Sequence, residues 1–471
     1  MLPSEKKESL QKIPAVDRLL KTPLISQLLL RYPRPLVLKA VHRVLEDIRR
    51  EIKAGEVLGD PSRLSVEKVS ERIGKALELL DRPSLRPVIN ATGIVIHTNL
   101  GRSLLAERVI RKFRPLAGGY SNLEFDLTTG ERGSRYVHVE GILREITGAE
   151  AAMCVNNNAA AVLLSLDTLA KGREVIVSRG HLVEIGGSFR VPEVMKRGGA
   201  KLVEVGTTNK TRPDDYEKAI GPDTALLMRV HQSNFQIVGF SEEVDTATLV
   251  QLGRKYRIPV MEDLGSGCFV DFSKYHLPKE PTVQDVVSQG ADLVTFSGDK
   301  MLGGPQAGII LGRADLIDAI RKNQLTRALR IDKLTLLALE ETLRIYRDEQ
   351  AALREIPTLS MILQTRRSLK AKTRRLIRLI GAVDQANFSV AHAEGDSRVG
   401  GGALPLLTMP TSLLALSPGK LSAHAMESWL RAYDPPIVAR VEKERVLLDM
   451  RTIQDKEMGA VAQAIQALAA L

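Results

Sequence analysis

Residues 291–310, A-D-L-V-T-F-S-G-D-K-M-L-G-G-P-Q-A-G-I-I, deliver one lysine into a glycine-rich turn between two apolar runs. A lysine where the backbone leaves a buried sheet is poorly solvated, so its ammonium is disfavoured and its amine is free to attack an aldehyde. Lys300 in that setting has the chemistry of a pyridoxal phosphate Schiff base. Ser297 precedes it in the spacing S-x-x-K, which can turn a hydroxyl toward a cofactor phosphate, and Gly303, Gly304 and Gly308 would let backbone approach a flat ring. The plainer alternative is a surface lysine in an ordinary strand-turn-strand.

An acid upstream favours the chemical reading. The run I-P-V-M-E-D-L-G-S-G ends on small residues and places Asp263 at a strand end, where open α/β sheets bind ligands. An aspartate there can keep a pyridine nitrogen protonated, so that the ring accepts carbanion charge. Strand alternation would point Glu262 to the opposite face. Asp263 could instead cap the following turn.

The elements that must position these groups follow a regular alternation. From residue 150, E-A-A-M-C-V-N-N-N, E-V-I-V-S-R-G-H, K-L-V-E-V-G, A-L-L-M-R-V-H and I-P-V-M-E-D alternate with helical patterns, which specifies an α/β domain with a mostly parallel sheet. Its first strand-to-helix turn, Asn156, Asn157 and Asn158, offers donors at a helix N-terminus as a phosphate cradle, or else an asparagine cap. His181 ends the next strand, where an imidazole could stack on a cofactor ring or serve structure alone. Arg102 closes the polar turn of V-I-N-A-T-G-I-V-I-H-T-N-L-G-R and could face an anion or a structural carboxylate. Arg327 and Arg330, three apart, would share one face of a helix and clamp one anion.

The 471 residues suffice for two or three domains. We read residues 1–80 as a basic helical domain, 81–90 as a proline-marked linker, 91–345 as the cofactor-binding catalytic domain, and 346–471 as a long helix with a small α/β C-terminal domain. Residues 1–53 carry twelve Lys or Arg against six Asp or Glu, and residues 366–378 carry seven basic residues and no acid. With a net charge of +11, such basic elements suit a polyanion, and 4% aromatic content favours phosphate and shape recognition over base stacking. A solvated charged face is the competing account of the basic helices. Cys154 and Cys268 lack metal-ligand spacing, and no phosphate-loop or dinucleotide fingerprint is present. The start has no signal-peptide pattern and no uncharged run is long enough to span a bilayer, so the expected location is the cytoplasm.

Taken as a set, I-N-A-T-G-I-V-I-H-T-N-L-G-R, S-N-L-E-F-D-L-T-T-G-E-R-G-S-R-Y, V-N-N-N-A-A-A-V-L-L, V-E-I-G-G-S-F-R-V-P-E-V-M and T-F-S-G-D-K-M-L-G-G-P-Q-A-G closely resemble the bacterial selenocysteine synthase family. Ile94 and Ile96 are conservative departures. The resemblance spans essentially the whole chain. It implies a fold-type-I pyridoxal phosphate transferase whose helical N-terminal domain binds the selenocysteine tRNA, assembled as a homo-oligomeric ring of five dimers. It implies conversion of seryl-tRNA(Sec) to selenocysteyl-tRNA(Sec) through elimination of the seryl hydroxyl to an aminoacrylyl group, followed by addition of selenium from selenophosphate. In that scheme Lys300 is the Schiff-base lysine and general base, and Asp299 is an essential acid. Arg102, Arg327 and Arg330 form the anion site for the donor. A relative acting on a free amino acid or an amino-sugar phosphate would share the catalytic domain but would have little need of the basic module. A non-catalytic RNA-binding protein would not need Lys300.

Overall fold

The computed structural model describes residues 4–471 apart from 56–60, Val183, 186–188, Asn234, Gln236 and Gln385. Part of the V-E-I-G-G-S-F-R-V-P-E-V-M motif therefore lies outside the described residues. The chain divides into two compact units, Met1–Pro87 and Val88–Leu471.

The first unit is helical. The apolar run that begins at Asp17 is split, because Pro23 cannot continue a helix and Thr22 accepts the Ile25 amide to start a new one, Pro23–Arg31. Arg34–Ala54 ends on Gly55 at φ 90°, the left-handed cap that glycine adopts without penalty. Val66–Asp81 starts at Ser65, whose hydroxyl accepts the Lys68 amide. Val37, Val41, Val44, Leu45, Ile48 and Ile52 meet Val69, Ile73 and Leu77 at spacings of three and four, giving the unit its own core. Each such side chain contributes about 1.5–3 kcal/mol on burial. Outside the core, Arg72 binds Glu51 through two hydrogen bonds of 2.9 and 2.6 Å.

The second unit is built on a seven-stranded sheet. From one edge its strands run Ala151–Val155, Gly308–Gly312, Leu293–Ser297, Val260–Gly265, Thr224–Val230, Glu174–Ser178 and Lys201–Val205. Only Gly308–Gly312 runs against its neighbours. The central strands are buried on both faces, which explains why they read as continuous apolar runs rather than as alternating ones.

A second sheet orders Arg440–Glu442, Arg445–Asp449, Thr408–Pro418, Phe388–Gly400 and Ile94–Ile96. Helices Arg366–Ile380, Ala423–Ala432 and Met458–Ala469 pack on it around Leu414, Leu416, Val446 and Leu448. Residues 94–96, read from the sequence as the start of the catalytic domain, pair in parallel with Phe388–Gly400 and so belong to this sheet. Such a strand order needs long-range pairing that local patterning does not announce. On Arg366–Ile380, Leu369, Thr373, Leu376 and Ile380 face inward, while Arg366, Arg367, Arg374, Arg375 and Arg378 are exposed. Among the described residues no helix is long and apolar enough to cross a membrane.

Candidate active site

Lys300 sits in the turn between Leu293–Ser297 and its antiparallel neighbour Gly308–Gly312. The turn is tied down at several points. The Ser103 hydroxyl donates to Lys300 O at 2.5 Å, the Ser103 amide to Asp299 O at 3.2 Å, and the Met301 amide to Ser266 O at 3.0 Å. Burial lowers the Lys300 pKa from the usual lysine range. Asp263 and Asp299 pull it back up, Asp263 more strongly, and Arg102 pushes it down.

Asp263 lies one strand over. Its Oδ1 accepts from Asn158 Nδ2 at 2.8 Å and from Thr295 Oγ1 at 3.2 Å, and the residue is 7% exposed. Burial raises its pKa against the opposing pull of Asn158 and Lys300. Strand alternation puts Glu262 on the other face, fully buried, where it accepts Arg229 at 2.5 Å and the Thr246 hydroxyl.

The three asparagines separate. Asn157 caps the helix Asn158–Leu169 by accepting the Ala160 amide, as the plain reading held. Asn158 reaches Asp263, and Asn156 is exposed with its amide on Leu329 O. Ser297 is buried at the strand end, 8% exposed. His181 closes the turn Arg179–His181, is 1% exposed, and has Glu243 Oε2 at 3.8 Å from its Nε2.

The arginines do not form one group. Arg102, at φ 61° in a turn bridged to His97, pairs with Asp299 at 2.6 Å. Arg327 and Arg330 line a different cavity of about 380 Å³ that Arg102 does not line, together with Arg132, Arg135 and Glu124. They do not share a helical face. The helix stops at Ala328 and Arg330 bridges to Val155 at the sheet edge. Glu124 accepts from Arg135 at 2.5 Å and meets Arg330 at 3.5 Å, whereas Arg327 is exposed without an ion-pair partner among the described residues.

The glycines expected at a ring face the protein instead. A Cβ on Gly303 would strike Ile356, and one on Gly308 the Asn157 carbonyl. Sequence reasoning missed Gly402, which stands against the lysine: a Cβ there would lie 2.6 Å from Lys300 Nζ. The G-G-G run was its one trace in the sequence, and the left-handed φ of +89° shows only in the structure.

These residues fit pyridoxal phosphate. A desolvated lysine faces a buried acid, and Asn158 Oδ1, Ser266 Oγ and both His181 ring nitrogens are buried without a hydrogen-bond partner among the described residues, which a polar ligand would satisfy.

A pH dependence follows for the apo chain. Because the folded-state pKa of Lys300 lies below its ordinary value, the unfolded chain binds more protons, and stability rises with pH from the folded-state pKa up to about 10.5. The slope reaches about 1.4 kcal/mol per pH unit for one proton. Denaturant midpoints of apo wild type and Lys300→Met between pH 7 and 10 should diverge, the variant being flatter. Parallel curves would mean that Lys300 is not desolvated.

A mostly parallel seven-stranded sheet, with a half-buried lysine in the turn beside an aspartate near the end of the neighbouring strand, is the fold of the fold-type-I pyridoxal phosphate enzymes. The solved structure of D-glucosaminate-6-phosphate ammonia-lyase shares this fold, with a TM-score of 0.54 and 22% identity over 82% of this chain and 96% of that one.

A family profile described as L-seryl-tRNA selenium transferase matches residues 88–454, and another described as selenocysteine synthase N terminal matches residues 10–49. The L-seryl-tRNA(Sec) selenium transferase of Geobacter sulfurreducens is 52% identical over 97% of this chain and 99% of its own length. That of Moorella thermoacetica is 51% identical over 98% of each. The chain belongs to the L-seryl-tRNA selenium transferase family, whose members are pyridoxal-phosphate-dependent enzymes.

Proposed function

We propose that this chain converts seryl-tRNA(Sec) to selenocysteyl-tRNA(Sec), with pyridoxal phosphate held by Lys300 and selenophosphate as the selenium donor. The observation that carries this reading is Lys300, desolvated between two acids, in a chain that matches the family at both its catalytic and its N-terminal segments. When bound, the cofactor supplies an electron sink for charge developing at the seryl α-carbon.

The protein groups do the rest. Lys300 Nζ, its proton weakly held, takes the α-proton. Asp263, with Oδ1 fixed by Asn158 and Thr295, holds a proton at the pyridine nitrogen. Asp299, oriented by Arg102, assists departure of the seryl hydroxyl. Ser297, Asn156 and the helix start capped by Asn157 would serve the cofactor phosphate side, Asn158 acts through Asp263, and His181 would serve the ring. Arg327 and Arg330 receive the anionic donor in the cavity they share, while Arg102 stays with Asp299. The chain works as a homo-oligomer, a ring of five dimers in the family's pattern. An amino-sugar-phosphate lyase would leave the match over residues 10–49 without a purpose.

The helical unit binds the tRNA. Removing residues 1–87 should cut affinity for tRNA(Sec) at least about tenfold, and wild-type binding should weaken steeply with salt as phosphate contacts release counterions. The truncated chain should still take up cofactor. Equal affinity of the truncated and full chains would assign this unit another role.

The arginines separate the two halves of the reaction. A hydrogen bond to a charged group is worth roughly 1.5–3 kcal/mol, so Arg327→Ala or Arg330→Ala should slow selenium transfer at least about tenfold. Loss of the seryl hydroxyl should continue, since it needs Lys300 and Asp263. If both steps fall together, these arginines act on the fold or the tRNA instead.

A further inference from the structure

Beside the turn that carries Lys300 lies a cavity of about 460 Å³ that none of the groups assigned above to the chemistry or the donor lines. Its volume falls in the range of sites that enclose small ligands. Pro278, Pro281, Leu404 and Leu407 supply apolar wall, and His231, Gln232 and Glu280 supply polar groups.

The chain fixes how near this cavity is to the lysine. Gly402 stands against the Lys300 side chain, and Leu404 is two residues further on, a reach of at most about 7 Å. From the other side, the His231 amide donates to Asp263 O at 2.9 Å. The polar groups are fixed in place. His231 Nε2 lies 3.1 Å from Glu280 Oε1, and Glu280 is 3% exposed. Gln232 Nε2 donates to Gly180 O at 3.0 Å, which leaves its Oε1 as an acceptor.

We propose that this cavity takes the 3′-terminal adenosine of the charged tRNA. The inference rests on the seryl-tRNA reading and adds a subsite to it. A seryl α-carbon at Lys300 Nζ is joined to the terminal ribose through a single ester, so the nucleoside must lie next to the lysine. Proline and leucine surfaces suit a purine face. The imidazole and carboxamide suit ribose hydroxyls and the base edge, and Lys279, which lines the cavity and pairs with Asp285 at 3.2 Å with its side chain 55% exposed, can swing to the terminal phosphate. A neighbouring cavity along Ile94–Thr98 shares Leu404, Pro405 and Leu407, but Arg398 and His97 are its only side chains with a ring nitrogen or a charge, and no carboxylate or carboxamide lines it.

The test uses the full chain loaded with cofactor and AMP as the probe. AMP should bind wild type by calorimetry and compete with seryl-tRNA(Sec), and CMP should do so at least tenfold less well. Thr408→Trp places bulk from an exposed lining position and leaves the His231–Glu280 pair intact. It should raise both the AMP inhibition constant and the KM for seryl-tRNA(Sec) tenfold or more, with kcat and the lysine-cofactor absorbance changed less than twofold. His231→Ala should weaken AMP similarly.

AMP that does not bind, CMP that binds as well, AMP binding that is unchanged in both variants, or AMP binding lost instead in Arg398→Ala would each overturn the proposal. AMP binding by a wild-type chain that leaves seryl-tRNA(Sec) unaltered would uphold the nucleoside site and overturn the seryl-tRNA reading.

Discussion

Lys300→Ala should abolish the borohydride-reducible adduct with pyridoxal phosphate and lower turnover by about a thousandfold or more, the scale set by loss of a positioned proton-transfer group together with the covalent anchor. The next lysines along the chain cannot stand in. Lys322 is at the end of the helix Ala314–Lys322, and Lys333 directs its Nζ to the carbonyls of Leu116 and Gly119. Absorbance of the loaded protein and peptide mapping after reduction check this directly. An adduct on a different lysine would remove the basis of the site.

Gly402→Ala should be nearly as damaging, for a reason visible only in three dimensions. The new methyl would meet Lys300 Nζ at 2.6 Å and its Cδ and Cε at 2.7 Å. A flexible side chain can yield to such a contact, so the fold should survive at the cost of about 1–3 kcal/mol for an alanine held at φ +89°. The lysine cannot yield without losing its place, and a misplacement of about 1 Å can cost about a hundredfold in rate. The expected result is a folded protein with a shifted or lost lysine-cofactor absorbance and kcat/KM down by about a hundredfold. A variant with normal absorbance and normal rate would show that Gly402 does not confine the lysine.

The contrast between these two residues shows what the sequence could disclose. Lys300 and Asp263 each follow or close an apolar run, and a buried parallel strand writes such a run into the chain, so both could be placed from the sequence at the same end of two neighbouring inner strands. The opposed facing of Asp263 and Glu262 followed from strand alternation alone. Gly402 lies in the turn between Phe388–Gly400 and Thr408–Pro418 of the other sheet, and only the tertiary fold carries it to the lysine.

The arginines teach the same lesson. Arg102 and Asp299 are far apart in sequence and their pairing depends on the left-handed turn at Arg102, whereas the helical spacing of Arg327 and Arg330 misled because the helix ends between them. Of the asparagines, the cap and the partner of Asp263 look alike in sequence. Adjacent residues diverge at a helix start, so one turned to the backbone and the next into the site.

The most direct measurement is the fate of the aminoacyl group. The full chain with pyridoxal phosphate, seryl-tRNA(Sec) and selenophosphate should yield, after hydrolysis of the tRNA ester, selenocysteine in place of serine, and Lys300→Ala should leave the serine intact. Serine recovered unchanged from wild type that carries cofactor on Lys300, or turnover of free serine or an amino-sugar phosphate in its stead, would contradict the account.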